Sequence, residues 1–490
     1  QRYPRAEAGG KTVRTTIRKY NIGKELHTEV MKARTFRHGI HPADGKSLSA
    51  SSPIRLFVPT GAGEAVYPLS QHIGTPAVPV VSVGDRVRAG QKLAEAGGFV
   101  SAPIYSAFSG TVRALEPRTA AGGETVPCIV LETDAETEWI DPRFDPATSD
   151  VFNASSVAAY MASGAPEHLT AEDIRAAVRE AGVVGLGGAG FPTSVKLTPK
   201  NPDAIDRLIV NGAECEPYLT SDHRLMLERG EALVAGCRLL LRLFPGAVCV
   251  LAVENNKPDA IAHLSDLVRA CGDARLSVCP LKTKYPQGSE RHLIYATTGR
   301  AINSSMLPSD AGCIVNNVDT VIAIYNAVIN GKPLMHRIVT VTGDAIAKPC
   351  NFKVRIGTNY HELIEEAGGF KEEPVKIISG GPMMGFGIFD LDVPTTKTSS
   401  ALLCMTRDDV SAMEPGPCIN CGKCVEVCPG RVVPKLLADC AEHYDEEAFV
   451  KNNGMECCEC GCCSYICPAK RPLTQVIKSM RKMQLAKKKK

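Results

Sequence analysis

Between residues 165 and 330 the apolar pattern switches repeatedly between two periods. Residues 171–181, roughly 230–243 and 258–271 read as helices, whereas Arg207–Val210, Ala247–Val253 and Ala274–Cys279 are short runs that read as strands. The run AVCVLAV is apolar throughout, as expected of a strand covered on both faces. Strand–helix alternation at this spacing predicts a parallel sheet with helices packed on it. Thr170, with a carboxylate three positions on at Asp173, predicts the start of the first helix, and Gly182 its end. Pro245-Gly246 stops the second.

The flanking segments follow other patterns. Residues 76–113 show short apolar pairs broken by Gly, Asp, Pro and Ser, an all-β reading. Downstream, HRIVTVTGD, CNFKVRIG and PVKIISGG read as strands, and Thr358–Ala367 as a helix closed by Gly368-Gly369, together a compact α+β unit. The expected organisation is multidomain α/β. It comprises an N-terminal segment over 31–118, an α/β domain over 150–335, an α+β domain over 336–400, a cysteine-rich domain over 408–470 and a basic tail over 471–490. Residues 1–30 are read as an extension of doubtful origin ahead of Met31.

Composition narrows the function classes. The length of 490 residues is a prior of roughly three domains. A net charge of +3 argues against nucleic-acid binding through bulk basicity. The most apolar stretch, Ala232–Val253, is interrupted by Arg238, Arg242 and Pro245, so no membrane span is expected. After Glu459 every charged residue is basic, including Lys470, Arg471, Lys478, Arg481, Lys482 and Lys487–Lys490. Such an end suits either contact with anionic lipid or a partner, or a solubilising terminus.

The unusual number is 20 cysteines, of which eleven lie between Cys418 and Cys467. A disulfide scaffold would be short and cysteine-dense throughout. Here Cys418-x-x-Cys421-x-x-Cys424-x-x-x-Cys428-Pro is followed by Cys457-x-x-Cys460-x-x-Cys463-x-x-x-Cys467-Pro. This is the two-cluster ferredoxin spacing, in which the fourth cysteine of each run ligates the other cluster. The assignment is therefore Cys418, Cys421, Cys424 and Cys467 to one [4Fe–4S] cluster, and Cys457, Cys460, Cys463 and Cys428 to the second. Paired zinc sites also use Cys-x-x-Cys, but zinc does not need the full pattern twice. Cys440, Cys458 and Cys462 fall outside the pattern and read as packed thiols.

Four further segments point to a nucleotide site. The loop Gly185-Leu186-Gly187-Gly188-Ala189-Gly190-Phe191 follows a helix rather than a strand, so it is not the Rossmann fingerprint, but its glycines let backbone approach a ligand closely. Asn211-Gly212-Ala213-Glu214-Cys215-Glu216 ends a predicted parallel strand, where open α/β sheets bind ligands. Tyr285-Pro286-Gln287-Gly288-Ser289-Glu290 opens a helix, a natural phosphate position, and Asn316-Asn317-Val318-Asp319-Thr320 opens another.

These segments in this order resemble the flavin and NADH site of the flavoprotein subunit of respiratory complex I. With FRHGIHP, YPLSQHIGTPA, VNGAECEPYLTSDHR, SGGPMMGF and both cysteine runs, the chain from about Thr35 to Lys470 is similar to the C subunits of Rnf-type ion-translocating ferredoxin:NAD⁺ oxidoreductases. The resemblance implies a Rossmann-like flavoprotein domain, a β-grasp soluble-ligand-binding domain at 336–400 and an α-helical two-cluster ferredoxin domain. The GD-x-V-x-x-GQ-x-L stretch is similar to biotinyl and lipoyl barrel-sandwich domains, but Glu95–Val100 lacks their modified lysine, so a docking or structural role is expected.

The resemblance further implies that Gly185, Gly187, Gly188 and Lys196 line FMN, and that Asn211, Gly288, Asn316, Asn317 and Thr320 hold its ribityl-phosphate, with Tyr285 in the same segment. Phe191 would stack near the nicotinamide or adenine, and Glu216 and Glu290 would face NADH. The chain departs from the complex I pattern at Ala213, Ser289 and Pro199. The implied role is an electron-input subunit passing electrons between NAD(H), FMN and two [4Fe–4S] clusters, with no side-chain acid or base for hydride transfer. Its partners would be integral membrane and ferredoxin-type subunits, with this chain peripheral on the cytoplasmic side of the cell membrane. The competing readings are a soluble relative serving a cytosolic reductase such as proline reductase, and a ferredoxin-type carrier without nucleotide activity.

Overall fold

The computed structural model describes residues 33–59, 61–149, 168–410 and 412–487. The 1–30 extension and Lys488–Lys490 lie outside the described residues.

After a short first strand, β1 (Ile54–Leu56), the chain forms a β-sandwich. Its strands are β2 (Glu64–Pro68), β3 (Val78–Pro79), β4 (Arg86–Val87), β5 (Lys92–Glu95), β6 (Ile104–Tyr105), β7 (Gly110–Thr119) and β8 (Thr125–Thr133). One sheet runs β2-β8-β7-β4 and the other β3-β5-β6. Val87, Leu93, Ile104, Ile129 and Leu131 fill the interior with no exposed surface. The expected boundary at 118 is too early. β8 pairs with both β2 and β7, so the sandwich cannot close without residues up to Thr133.

The central unit is a four-stranded parallel sheet of β9 (Arg207–Gly212), β10 (Val248–Glu254), β11 (Leu276–Leu281) and β12 (Cys313–Asn317), in spatial order β11-β10-β9-β12. Helix α1 (Ala171–Glu180) begins as its sequence predicts: Thr170 Oγ1 accepts the Asp173 N–H and Asp173 accepts the Thr170 N–H. There follow α2 (Thr193–Lys196), α3 (Ser221–Glu228), α4 (Gly230–Leu243), α5 (Pro258–Cys271), α6 (Glu290–Thr298) and α7 (Val318–Asn330). Successive strand residues serve opposite faces. Leu208, Val210 and Leu251 pack with the helix α4 residues in one core, and Ile209, Ala252, Cys279 and Val315 pack with Leu293 and Ile294 of α6 in another. The chain reverses its direction of travel across the sheet between β9 and β12, which opens a crevice at their carboxyl ends.

A six-stranded mixed sheet comes next, in the order β1-β14-β13-β17-β15-β16. It adds β13 (His336–Thr342), β14 (Cys350–Arg355), β15 (Lys376–Ser379), β16 (Phe386–Ile388) and β17 (Ala401–Met405), with α8 (Tyr360–Glu366) on its face. The expected 336–400 limits are too narrow at both ends. β1 joins as an edge strand parallel to β14, and β17, beyond residue 400, lies between β13 and β15.

The cysteine-rich part holds α9 (Lys423–Glu426), α10 (Pro434–Glu442), α11 (Glu446–Lys451), α12 (Cys462–Ile466) and α13 (Leu473–Lys487). The basic tail expected from 471 is instead built into the fold: Leu473–Lys487 form the helix α13, not a loose end. Leu473, Ile477 and Met480 are four and three residues apart, so they share one face, and all three are buried with Leu437 and Phe449. Its charges are engaged too: Arg471 pairs with Glu442 at 2.7 Å and Arg481 pairs with Glu459. Ile477→Ala is expected to destabilise this unit by about 3 kcal/mol, measured as a shift of the urea midpoint. A change below about 1 kcal/mol would show that α13 is not docked.

Candidate functional site

The crevice at the end of β9 and β12 is built by the four segments singled out from the sequence. The glycine loop closes on itself, Gly185 N–H donating to the Phe191 carbonyl at 2.9 Å. It crosses the start of α7, where Thr320 Oγ1 accepts the Leu186 N–H at 2.9 Å. A Cβ on Gly187 would sit 2.8 Å from Asn317, whereas one on Gly188 would meet nothing within 4 Å. Both glycines are exposed, but the Cβ direction of Gly187 turns toward Asn317 while that of Gly188 faces open space. Asn317 caps α7 by accepting the Asp319 N–H at 2.8 Å and donates to Asp222 at 2.7 Å.

The acidic loop lies across the crevice. Asn211 Nδ2 donates to the Gly288 carbonyl at 2.8 Å, and Cys215 Sγ accepts the Gly288 N–H at 3.2 Å. The ends of β9 and the turn before α6 are thereby tied together. Ser289 precedes α6 without a side-chain cap, leaving its first N–H groups to other partners. Asn316 and Thr320 are buried beneath. Lys196 donates to the Val315 carbonyl at 2.8 Å and stands 3.6 Å from Glu290, so both expected ligand residues face each other at one edge. Phe191 is half-buried at the loop's far end.

Glu216 is placed differently from its expected role toward NADH. Its carboxylate lies under the loop of Gly381–Met383 and accepts the Met383 N–H at 3.2 Å. Burial pushes it up to about 7, against backbone hydrogen bonds and Lys46 that pull it down. Burial likewise raises Glu254 to about 7, and burial beside Glu214 and Asp319 does the same to Asp222. A carboxyl whose folded value exceeds its ordinary 4.5 is destabilising when ionised, so the cost appears as pH rises from 4.5 through 7. Glu216→Gln is therefore expected to raise the unfolding free energy by about 3 kcal/mol at pH 8 and by nothing at pH 4.5, followed by thermal unfolding at both pH values. Equal effects at the two would show that the carboxylate is not buried.

Several residues that shape the site carry no local signal. Lys257 donates to the Ala213 carbonyl at 2.7 Å and Lys46 to that of Glu216 at 2.9 Å, so two buried cations hold the acidic loop from beneath. Glu214 accepts the Asp222 N–H at 2.7 Å at the start of α3. The two lysines lie far along the chain from the carbonyls they hold, and spacing cannot reveal them.

The cysteines surround two separate cavities. One, of about 150 Å³, is lined by Cys418, Cys421, Cys424 and Cys467 with Ile419, Val425 and Val433, and Cys421 is exposed. The other, about 20 Å³, is lined by Cys428, Cys457, Cys460 and Cys463 with Cys458 and Cys462. Each holds the fourth cysteine of the opposite run. Among the described residues no group of His, Cys, Asp or Glu closes on a single metal-ion position. A thiol set spread around a cavity suits a bulky cluster. The second cavity faces the crevice: Cys460 and Cys462 pack with Ile40 and Tyr285, and Cys215 touches the same group. Glu456 fastens this side by accepting the Ser304 N–H at 2.9 Å and pairing with Arg291 at 3.1 Å.

The crevice also fits a phosphate-bearing planar ligand. Gly188 offers bare backbone, and among the described residues the buried Gln287 Nε2, next to Gly288, and Thr193 Oγ1, just after the loop, have no hydrogen-bond partner. Residues 178–326 match the family described as the Nuo51 FMN-binding domain, 34–136 the RnfC barrel sandwich hybrid domain and 338–387 the SLBB domain. The chain is 42% identical over 465 residues to the C subunit of the Na⁺-translocating ferredoxin:NAD⁺ oxidoreductase complex of Acetobacterium woodii, covering 94% of this chain and 99% of that protein. It is 41% identical over 406 residues to the C subunit of the proton-translocating complex of Clostridium ljungdahlii, covering 83% and 84%. A solved NAD⁺-reducing [NiFe]-hydrogenase aligns over 68% of this chain and 65% of that one, at 20% identity and a TM-score of 0.47.

Proposed function

The chain belongs to the RnfC family, the C subunits of ion-translocating ferredoxin:NAD⁺ oxidoreductase complexes, and we propose how its residues divide the work of an electron-input subunit. The observation that carries the reading is the placement of a flavin-type crevice against one of two cysteine-lined cavities in a single chain. FMN, when bound, supplies the conversion between the two-electron chemistry of NAD(H) and the one-electron chemistry of iron–sulfur clusters.

Gly185, Gly187 and Gly188 present backbone to the flavin, and Asn211, Gly288, Asn316, Asn317 and Thr320 hold the ribityl-phosphate end, beside the uncapped start of α6. Phe191 and Glu290 border the nicotinamide side. Glu216, lying under the Gly381–Met383 loop, shapes the floor instead of touching NADH. Cys428, Cys457, Cys460 and Cys463 hold the [4Fe–4S] cluster nearer the flavin, because their cavity adjoins Tyr285 and Cys215. Cys418, Cys421, Cys424 and Cys467 hold the second, at the surface where Cys421 is exposed, so electrons are exchanged there with partner subunits.

None of the described helices is long and apolar enough to cross a membrane. Ion movement is accordingly assigned to other, integral membrane subunits, with this chain peripheral on the cytoplasmic side. Relatives named for sodium and for proton translocation both match, so the coupling ion is set elsewhere in the complex. An anaerobic NADH titration of the iron-reconstituted, FMN-loaded chain tests the reading. Bleaching of both the flavin band and the broad cluster band is expected. Bleaching of clusters by dithionite alone, with no flavin retained, would overturn it.

A further inference from the structure

Two buried cations outside the crevice end on main-chain carbonyls in and just before the glycine loop. Arg337 on β13 is 4% exposed, and each nitrogen of its fork is engaged: Nη2 donates to the Leu186 carbonyl at 3.0 Å, Nε to the Ser399 carbonyl at 2.9 Å, and Nη1 pairs with Asp319. Lys397 has no exposed surface, and its ammonium donates to the Gly182 carbonyl at 2.7 Å and the Pro103 carbonyl at 2.6 Å. Among the described residues no carboxylate pairs with Lys397. A buried ammonium held only by carbonyls is costly, and its position joins the sandwich, the loop and the six-stranded unit. The same segment lies against Gly190, where an added Cβ would come within 2.8 Å of Thr398 and 3.0 Å of the Gln71 carbonyl.

We propose that Arg337 and Lys397 are positioning residues for the flavin loop, fixing it at Leu186 and, at its base, Gly182, so that its open glycines are held ready for the ligand. The geometry gives the mechanism. In a trans peptide the carbonyl and the following N–H point in opposite directions. With the Leu186 carbonyl held inward by Arg337 and its N–H held by Thr320, the Gly187 N–H is turned to the open side. Gly187 and Gly188 are both exposed there. A preorganised donor loop loses less freedom on binding an anionic ligand than a mobile one. This rests on the crevice being the flavin site.

The test uses the full chain, freed of flavin, titrated anaerobically with FMN and followed by flavin fluorescence, with amide exchange on the same samples. Arg337→Lys keeps the charge and loses the fork, and Lys397→Met keeps the length and loses the donors. Each is expected to weaken FMN binding about tenfold and to speed exchange over residues 182–192, with iron content and exchange over 434–442 unchanged. FMN affinity within about twofold of the parent in a folded variant, or exchange rising equally everywhere, would overturn the inference. Should Lys397→Met not accumulate, Lys397→Gln, which keeps an amide donor in the same space, takes its place under the same criteria. Failure of all three variants to fold would show a purely structural role and equally overturn it. A parent chain that binds no FMN would instead sink the flavin-site reading itself.

Discussion

Gly188→Val should yield a chain that folds like its parent and has lost most of its affinity for FMN, by about 100-fold or roughly 3 kcal/mol. An added Cβ at this position meets nothing within 4 Å, and no positive φ constrains the residue, so the fold has no reason to resist the change. The branched side chain instead fills the space through which a planar ligand would reach the backbone. The neighbouring Gly187→Ala is the contrast. Its Cβ would fall 2.8–2.9 Å from three side-chain atoms of Asn317, the residue that caps α7 and holds Asp222. That variant is expected to lose about 1–2 kcal/mol of stability as well as flavin. Flavin fluorescence titration and thermal unfolding of both variants separate the two costs. Parental FMN affinity in Gly188→Val would place the flavin elsewhere.

The second large effect lies in the cysteine pairs. If each fourth cysteine serves the opposite run, Cys424→Ala with Cys467→Ala damages one cluster only, and about four of about eight irons per chain remain. Cys424→Ala with Cys428→Ala damages both, and the iron content falls toward zero. Were each run to hold its own cluster, the outcomes of the two double variants would be exchanged. Iron quantitation with the electron paramagnetic resonance of dithionite-reduced protein decides between them. The two cavities, each lined by three cysteines of one run and the last of the other, favour the crossed arrangement. In the Cys424/Cys467 variant a cluster held by Cys428, Cys457, Cys460 and Cys463 would lie beside Tyr285, which packs with Cys460, so NADH should still bleach it while electron transfer to an added one-electron acceptor protein falls by two orders of magnitude or more, roughly 3 kcal/mol in barrier.

Features that depend on short spacing are legible without a fold. The Cys-x-x-Cys steps and the Thr170–Asp173 cap are relations within one or two turns of chain, and the buried strand AVCVLAV needs only its own composition. The missing lysine at Glu95–Val100 is read in the same way. The crossed cysteine sets are an expectation from the same kind of local limit, on which thiols can reach one cluster, and the double variants above decide it. Whatever depends on segments meeting from afar is legible only once they have met. Arg337 reaches Leu186 across 151 residues and Lys397 reaches Gly182 across 215. β1 pairs with a strand some 300 residues later. The basic end of the chain reads as either a lipid- or partner-contacting tail or a solubilising one because its charges outnumber its apolar residues, and only α10 and α11 beside it give Leu473, Ile477 and Met480 something to bury against. Glu216 is similar: a carboxylate at the end of a strand reads as a ligand until the Gly381–Met383 loop closes over it and replaces water with backbone N–H groups. Local periodicity is encoded residue by residue, but burial and long-range hydrogen bonds belong to pairs of segments, and a pair exists only once the chain has folded.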